Sequence, residues 1–473
     1  MLSSQEVCIK PHIAFLPSPG IGHLVPLLEF AKHLVIHHNV HVSFLVMNNI
    51  DESTPVIQDQ LLSSSALPAG LHVINLPPVN NISSGVDRET SVVTKLINTC
   101  QESIKHLPAT LADLSLPKAL IVDIFTTDAI SVCKELGIPV YSFFTSTTQL
   151  LALSFYLPKL DEECVEQLEL IQVPGCKSID RDDFPANLSK MKDSMVSLTM
   201  VAGIFVNTWD DLELKSCWLS GINNDPFYKT LNAPPIYPVG PLIKKDEAAT
   251  ESDEYIVSWL NNQSPNSVLL VALGSGGTLT SEQLIELALG LEMSKQKFVW
   301  VVREPNDLNA CAAYFKVGSD KNDALSYLPE GFVKRTSGVG LVVPSWAPQV
   351  PILRHEATGG FLSHCGWNST LESIVHGIPM IAWPLYAEQK MNATLLTEEI
   401  AVAVKPVAVS AEAGGKKVVK REEVARVVTL LMESQEGKVM KVKANELKES
   451  AAKALQSGGS SYDLLSSVVK SWN

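Results

Sequence analysis

Short apolar runs alternate with helical segments in two separate series along the chain, and this alternation constrains the fold more than any other feature. In the first series, strands are predicted at His12–Leu16 and His41–Val46, with a helix at residues 24–36 where apolar side chains recur at helical spacing. The second series opens with a strand at residues 267–273 and a helix at residues 281–293. The alternation predicts α/β domains in which a doubly wound parallel sheet carries helices on both faces. Further strands are predicted at residues 119–124, 139–144, 297–303, 359–364 and 378–383.

Length and a change in composition predict two domains. The chain has 473 residues, 46 % of them hydrophobic, whereas single cores rarely grow beyond about 250–300 residues. Residues 233–246 contain four prolines, which cannot continue a helix or a central strand, so a linker is predicted there. We therefore predict an N-terminal domain over residues 1–240, a C-terminal domain over residues 241–455, and a last helix at residues 456–473 that packs back on the first domain. Ligands of such domains bind at the carboxyl ends of the strands.

The net charge, the length of apolar runs and the cysteine spacing limit the partners and the cellular location that the sequence predicts. The formal net charge of −14 argues against a nucleic acid or an anionic membrane, since both need a basic surface. No apolar run reaches the ~20 residues of a membrane helix. Residues 1–11 lack a signal-peptide pattern, and the eight cysteines show no C-x-x-C motif. We expect a cytosolic monomer that holds any anionic ligand through backbone dipoles and neutral donors.

A glycine-rich turn, PSPGIGH, follows the first strand and ends at His23. Its two glycines fit the dinucleotide pattern G-x-G-x-x-G, but Val25 replaces the third, and no acid for a ribose follows Met47 at the end of the second strand. An NAD-dependent oxidoreductase is therefore disfavoured. His23 falls in the first turn of a predicted helix, whose positive end favours the neutral ring that a general base requires. It could equally be a helix-start histidine without a role.

An acidic residue, Asp123, lies near the end of the predicted strand at residues 119–124. Burying it is costly unless it has a partner, and a histidine on a neighbouring strand–helix turn would serve. The pair would resemble the His–Asp half of a hydrolase triad, in which the carboxylate orients the ring and stabilises its charged form. Asp123 could also be purely structural. Asp128 is predicted to be the N-cap of the next helix.

Two more strand–helix turns carry neutral donors. The turn LGSGGT is not a Walker loop, but its backbone N–H groups and the Ser275 hydroxyl could receive a phosphate, unless it is simply a tight turn. The segment SHCGWNS places His364, Asn368 and Ser369 at a predicted helix N-terminus, where a diphosphate could sit without any lysine. Ser369 and Glu372 also have the spacing of a capping box.

Metal sites are weakly indicated. Asp180 and Asp182 have the D-x-D spacing of metal-dependent transferases, but they occupy a polar loop rather than a strand end. No cofactor and no metal are therefore expected. The hydrolase motif G-x-S-x-G is absent from the sequence, which weakens a hydrolase interpretation.

The segment from Trp346 to Gln389 carries the most specific signal. It begins with WAPQ, continues through HCGWNSTLES and GIPMIAWP, and closes with YAEQ. This segment resembles the signature box of plant family 1 UDP-glycosyltransferases. The resemblance extends over the whole chain through PSPGIGHLVP, VNTWDDLE, YPVGPL and GSGGTLT. In detail the chain looks most similar to the branch that glucosylates simple phenols such as hydroquinone.

The resemblance implies the GT-B fold, with two Rossmann-like domains facing across a cleft, and UDP-glucose as the co-substrate. Trp346 would stack on uracil, with Ala347 and Gln349 near the base and ribose, and Glu372 would accept the ribose hydroxyls. Residues that would hold the diphosphate are His364, Asn368, Ser369 and Ser275. Residues that would face the sugar are Trp367, Glu388 and Gln389. Thr145 matches the position in the first domain near the sugar or phosphate, although the segment from Thr145 to Thr148 offers several candidates for this contact.

The resemblance also implies a single displacement with inversion. His23 would remove the acceptor proton, Asp123 would support the imidazolium, and UDP would leave toward the helix N-terminus at His364. The acceptor would be a small aromatic hydroxyl compound, with a flavonoid or another larger aglycone as the alternative. A non-catalytic UDP-sugar-binding protein would keep the C-terminal box but would need no base.

Overall fold

The computed structural model describes residues 10–47, 61–63, 67–79, 92–160, 168–185, 188–213, 218–244, 251–308, 310–311, 324–410 and 417–472. Most of the N-terminal segment in which no signal peptide is predicted lies outside this part, as do residues 245–246 of the predicted linker.

Strands from the first half of the chain build one parallel sheet. They are β1 (His12–Leu16), β2 (His41–Val46), β3 (Leu71–Asn75), β4 (Ala119–Val122), β5 (Val140–Phe144), β8 (Gly203–Val206) and β9 (Ile236–Pro238). Two short strands, β6 (Leu170–Ile171) and β7 (Ile179–Asp180), pair antiparallel outside it. The order across the sheet is β3-β2-β1-β4-β5-β8-β9, so β1, β4 and β5 are neighbours.

The central strands of this sheet are apolar and buried on both faces. Along β1, Ala14 and Leu16 point into one core, while Ile13 and Phe15 point into the other, as the two-residue period of a strand requires. The helices of this half are α1 (Ile21–His38), α2 (Val92–Ile104), α3 (Leu107–Asp113), α4 (Ala129–Glu135), α5 (Thr148–Tyr156), α6 (Lys192–Ser197), α7 (Asp210–Glu213), α8 (Trp218–Asn224) and α9 (Pro226–Thr230).

A second parallel sheet follows in the order β12-β11-β10-β13-β14-β15. Its strands are β10 (Val268–Ala272), β11 (Lys297–Val302), β12 (Gly340–Pro344), β13 (Thr358–Ser363), β14 (Met380–Ala382) and β15 (Ala403–Val404), and β16 (Val409–Ser410) pairs separately with β17 (Lys417–Val418). Its helices are α10 (Glu251–Asn261), α11 (Ser281–Ser294), α12 (Phe332–Thr336), α13 (Gln349–Arg354), α14 (Trp367–Val375), α15 (Gln389–Thr394), α16 (Arg421–Glu433) and α17 (Gln435–Ala454). The two sheets confirm the predicted pair of doubly wound α/β units.

The last helix, α18 (Ser460–Lys470), leaves the second unit and covers the first sheet. Leu465 and Val468 join the core on the Phe15 face of that sheet. The Trp472 ring meets the Tyr141 ring edge-on at 5.6 Å. The end of the chain therefore ties the two units together.

Part of the predicted linker at residues 233–246 forms β9, the outermost strand of the first sheet, where proline is tolerated. The prediction for Asp128 is wrong. Asp128 occupies the N-cap position of α4, but its φ and ψ are helical and its side chain makes no capping hydrogen bond.

Candidate active site

The turns that follow β1, β4 and β5 meet at one edge of the first sheet, since these strands are adjacent and parallel. This arrangement brings together His23 in the first turn of α1, Asp123 after β4 and Thr145 after β5. His23 Nδ1 lies 3.4 Å from Asp123 Oδ2 and 3.3 Å from Thr145 Oγ1. The structure therefore brings His23 and Asp123 together, as the sequence analysis predicted. With Nδ1 turned to these partners, Nε2 is the nitrogen that can accept a proton from a substrate.

Asp123 is completely buried and surrounded by donors. Its Oδ2 accepts hydrogen bonds from the backbone N–H of Ser18 at 2.8 Å and from the Ser18 hydroxyl at 2.5 Å, and its Oδ1 accepts from Phe125 N at 2.8 Å. Burial by itself would raise the pKa of Asp123, but the hydrogen bond and charge of His23 and the donors of Ser18 outweigh it and lower the pKa. The carboxylate is thus ionised and can stabilise a protonated His23.

The residues that follow the strands of the second sheet lie at one edge of that sheet. Ser275 follows β10, Arg303 follows β11, Trp346 follows β12, His364 follows β13 and Glu388 follows β14. These strands are parallel neighbours, so their carboxyl ends form one edge, as expected for a ligand site in an α/β sheet.

His364 occupies a slot between two glycines. A Cβ atom on either Gly274 or Gly366 would lie 2.4 Å from Nε2 of the ring, which explains why glycine occupies both positions. Burial, aided by the positive charge of Arg303, lowers the pKa of His364 to about 4. Within the described residues, its Nδ1 is buried without a hydrogen-bond partner. His364 is therefore a neutral imidazole at physiological pH, and a ligand oxygen could supply the missing partner.

Gln349 connects two residues that the sequence grouped as a capping box. Its Nε2 donates to Ser369 Oγ at 2.8 Å and to Glu372 Oε2 at 2.6 Å. Helix α14 begins at Trp367 with Gly366 as its N-cap, so Ser369 lies inside the helix and the predicted capping box does not form. The Ser-x-x-Glu spacing serves instead to fix Gln349 beside the helix.

The loop after β12 presents one open aromatic ring. Trp346 is 42 % exposed, and the preceding Ser345 has a left-handed φ of 65° that turns the chain at this point. Ala347 is buried in the core of the second unit, so only its backbone can face a ligand. An exposed indole next to the Gln349 network has the shape and chemistry needed to stack on a flat base.

Two residues of the second unit that were predicted to contact the ligand, Trp367 and Asn368, make hydrogen bonds to the first unit. The indole N–H of Trp367 donates to the carbonyl of Asn207 at 2.9 Å, and the ring is buried. The indole N–H of Trp367 thus bonds to the first unit, and the predicted contact of Trp367 with the sugar stays a prediction. One N–H of the Asn368 side-chain amide donates to the carbonyl of Gly22 at 2.8 Å, so its second N–H is the one that could serve the diphosphate.

Gln389 is buried, and its carbonyl is fully engaged. Oε1 accepts from the backbone N–H groups of Leu385 at 2.9 Å and Tyr386 at 3.0 Å. If Gln389 faces the sugar as predicted, its NH₂ group is the part that can bind a sugar hydroxyl. Burial raises the pKa of the neighbouring Glu388, and its interaction with His23 opposes the rise.

The sequence interpretation missed three residues of this site: Ser18, Asn207 and Arg303. Arg303 Nη1 donates to the Ser275 carbonyl, and its Nε donates to the Ser345 carbonyl at 3.3 Å. A single cation that ends the apolar run KFVWVV was the available signal for it. Ser18 and Asn207 act through their hydroxyl and backbone carbonyl, for which no comparable signal exists.

In the D-x-D pair, Asp182 contacts two lysines of the second unit. Lys390 Nζ donates to the backbone carbonyl of Asp182 at 2.8 Å, and Lys417 Nζ lies 3.8 Å from its carboxylate. Asp180 accepts from Asp182 N and begins a short 3₁₀ turn, Arg181–Asp183. In the described part of the chain, no three His, Cys, Asp or Glu side chains are grouped as metal ligands would be. Nor does any described helix combine the length and apolar character that crossing a bilayer demands.

Known proteins with similar sequences and structures agree on one family. Residues 237–421 match the family described as UDP-glucoronosyl and UDP-glucosyl transferase. The chain is 44 % identical to hydroquinone glucosyltransferase from Rauvolfia serpentina over 480 residues, covering 98 % of each chain. It is 40 % identical to anthocyanidin 3-O-glucosyltransferase 5 from Manihot esculenta over 484 residues, covering 100 % of this chain and 97 % of the other.

The crystal structure of TcCGT1 in complex with UDP matches with a TM-score of 0.89 at 40 % identity. The match covers 98 % of this chain and 99 % of that one. At this similarity over nearly the full length, the two chains share the arrangement of both sheets.

Proposed function

The chain belongs to the plant UDP-glycosyltransferase family and has its GT-B fold, and from that premise we propose that it is an inverting, UDP-glucose-dependent O-glucosyltransferase. Its acceptor in this proposal is a small aromatic hydroxyl compound, and the products are a β-glucoside and UDP. The observation that carries the proposal is the contact of His23 with a buried, ionised Asp123 at the strand edge that faces the second sheet.

In the proposed reaction, His23 Nε2 takes the proton of the acceptor hydroxyl while the acceptor oxygen bonds to the anomeric carbon. The bond from that carbon to the UDP oxygen breaks, and UDP leaves with the electron pair. Asp123 stabilises the imidazolium until the proton passes to solvent. A positioned base of this kind contributes ~10²–10⁴-fold to the rate.

The leaving diphosphate would meet neutral donors rather than a row of cations. The N-terminus of α14, the Ser369 hydroxyl and the neutral His364 ring converge where its charge would develop. Backbone N–H groups at a helix start bind phosphate well, and preorganised donors stabilise charge that appears in the transition state. Trp346 would stack on the uracil, and Glu372 would accept hydrogen bonds from the ribose hydroxyls.

An aromatic acceptor is supported by the surroundings of the base. The Phe125 ring stands edge-on to the His23 ring at 5.1 Å, so the space next to the base is bordered by an aromatic side chain. The similarity to hydroquinone glucosyltransferase supports a simple phenol, and the somewhat lower identity to the anthocyanidin enzyme keeps a flavonoid as the second candidate. The cytosolic location, the monomeric state and the absence of a metal requirement stay predictions.

The experiment is to incubate the protein with UDP-glucose and a panel of hydroquinone, other simple phenols, flavonoids and hydroxyindoles. Products are identified by mass, and the anomeric configuration is read from the proton coupling constant. We expect a β-glucoside of a simple phenol as the main product. An α-glucoside would contradict inversion, and preferential turnover of flavonoids would replace the proposed acceptor.

The role of the base is tested with His23→Ala, with His106→Ala as the matched control because His106 is exposed and its ring makes no capping contact. His23→Ala should lose about 10²-fold or more in turnover while it still binds UDP-glucose. Near-normal turnover of a weakly acidic phenol by His23→Ala would show that another group takes the proton.

A further inference from the structure

Arg303 occupies a junction between two loops of the donor side. It follows β11, which lies between β10 and β12 in the sheet. Through Nη1 it holds the carbonyl of Ser275 in the turn after β10, and through Nε it holds the carbonyl of Ser345 in the turn after β12. One guanidinium thus spans the glycine-rich turn and the loop that carries Trp346.

The charge of Arg303 has no carboxylate partner among the described residues, where its hydrogen bonds go to backbone carbonyls. Withdrawal from water lowers the pKa of its guanidinium to about 10, so the group stays protonated at neutral pH. Its charge also contributes to the low pKa of His364, which places it close to the ring between Gly274 and Gly366. An uncompensated cation therefore stands beside the turn and ring predicted to receive the diphosphate.

We propose that Arg303 is a positioning residue for the donor diphosphate. It fixes the turn at Ser275 against the end of β11 and adds a positive charge to a phosphate site whose other described donors are neutral. This inference rests on the proposed placement of UDP at the α14 N-terminus. In a chain of formal net charge −14, a single local cation makes a large difference to the potential that a diphosphate experiences.

The two-carbonyl contact requires the planar fork of arginine. The guanidinium donates from two nitrogens in fixed directions, whereas a lysine ammonium is a compact point charge on a flexible stem. Lysine at this position would keep the charge but release one of the two loops. Methionine would keep much of the volume and remove both the charge and the donors.

The experiment compares Arg303→Lys and Arg303→Met with the wild-type chain. The control is Arg335→Met, which removes an exposed arginine paired with Glu292 on the far end of α11. Dissociation constants are measured for UDP and for uridine, which lacks the phosphates, together with kcat, KM for UDP-glucose and Tm. For Arg303→Met, UDP should bind about tenfold or more weakly, because the local positive charge is lost and the turn at Ser275 is released. Uridine affinity should fall by about threefold or less, because only the loop that carries Trp346 is loosened for a ligand without phosphates.

Arg303→Lys should fall between wild type and Arg303→Met in UDP affinity, since it keeps the charge. Equal losses of UDP and uridine affinity in Arg303→Met would overturn the proposal, because a loosened site weakens both ligands alike. Unchanged UDP affinity in both variants would overturn it as well. The dissociation constants for UDP and uridine are measured without an acceptor. A failure of the proposed phenol glucosylation would therefore show separately, in the turnover of the wild-type chain.

Discussion

The side-chain amide of Asn368 donates a 2.8 Å hydrogen bond to the carbonyl of Gly22, the residue immediately before His23. Asn368 lies in the first turn of α14, where the diphosphate is proposed to bind, and Gly22 lies in the first turn of α1. The base and the phosphate site are thus connected directly across the cleft, although 346 positions separate the two residues.

This connection predicts that Asn368→Ala impairs both donor binding and catalysis. The variant removes the contact to Gly22 and one donor that a phosphate could use. We expect turnover to fall by about tenfold or more, since a lost hydrogen bond to a charged group costs ~1.5–3 kcal/mol. Steady-state kinetics with UDP-glucose and a phenol measure the effect. Asn262→Ala is the control, because Asn262 is exposed and its side-chain amide donates to the Ser258 carbonyl in the preceding helix α10. An equally small effect of both variants would contradict the prediction.

The carbonyl of Gln389 is committed to Leu385 and Tyr386, so its NH₂ group alone can recognise a sugar hydroxyl. We predict a preference for UDP-glucose over UDP-galactose of roughly tenfold or more in kcat/KM, because a displaced hydroxyl leaves a buried polar group unpaired. Gln389→Glu keeps an acceptor for both backbone N–H groups and removes the amide donor, so it should lose most of this preference; a second buried carboxyl beside Glu388 should also lower Tm. Equal use of both sugars by the wild-type chain would show that Gln389 does not read the C4 position.

Neutral donors at the proposed phosphate site predict activity without a divalent metal. Glucose transfer in excess EDTA should stay within about twofold of the untreated rate, since no step requires an added Lewis acid. Asp182→Asn, which alters the D-x-D pair near Lys417, should behave like the wild-type chain in the same assay. Loss of activity in EDTA with recovery on Mg²⁺ or Mn²⁺ would instead favour metal-assisted departure of UDP.

Glu213 is buried at α7, where its carboxylate accepts from the backbone N–H of Thr148 at 3.0 Å. Burial raises the pKa of Glu213 to about 7, well above its unfolded value near 4.5. The folded state therefore holds this proton more tightly, and stability is lost as the pH rises from 4.5 through 7, by roughly 3 kcal/mol at most.

Glu213→Gln removes this titration and keeps an acceptor for Thr148. We predict that the variant has a higher Tm than the wild-type chain at pH 8 and that the difference shrinks toward pH 5. Thermal unfolding at several pH values measures it, with exposed Glu446→Gln as the control. A Tm difference that does not vary with pH would mean that Glu213 is ionised in both states throughout.

The sequence predicted the strand ends because apolar runs and glycine-rich turns are local signals. His23 and Asp123 could be paired in advance because the carboxyl ends of parallel strands share one edge. The bonds from Asn368 to Gly22 and from Trp367 to Asn207 could not be predicted, because they depend on how the two units close on each other. The bonds of Ser369 and Glu372 to Gln349 could not be predicted either, because the spacing of these two residues also fits a capping box.

His364 predicts a pH dependence of the opposite sign to that of Glu213. Burial and the charge of Arg303 lower the pKa of His364 to about 4, below its unfolded value near 6.5. The unfolded chain then binds more protons between these values, so stability is present above pH 6.5 and is lost as the pH falls toward 4, again by roughly 3 kcal/mol at most.

Because the effects of Glu213 and His364 on stability offset each other in the wild-type chain, only variants separate them. His364→Gln keeps a neutral donor between Gly274 and Gly366, and its Tm should fall less than that of the wild-type chain between pH 7 and pH 4.5. The exposed-site variant His106→Gln should follow the wild-type curve. Parallel curves for all three proteins would show that the His364 ring is not held neutral by the fold.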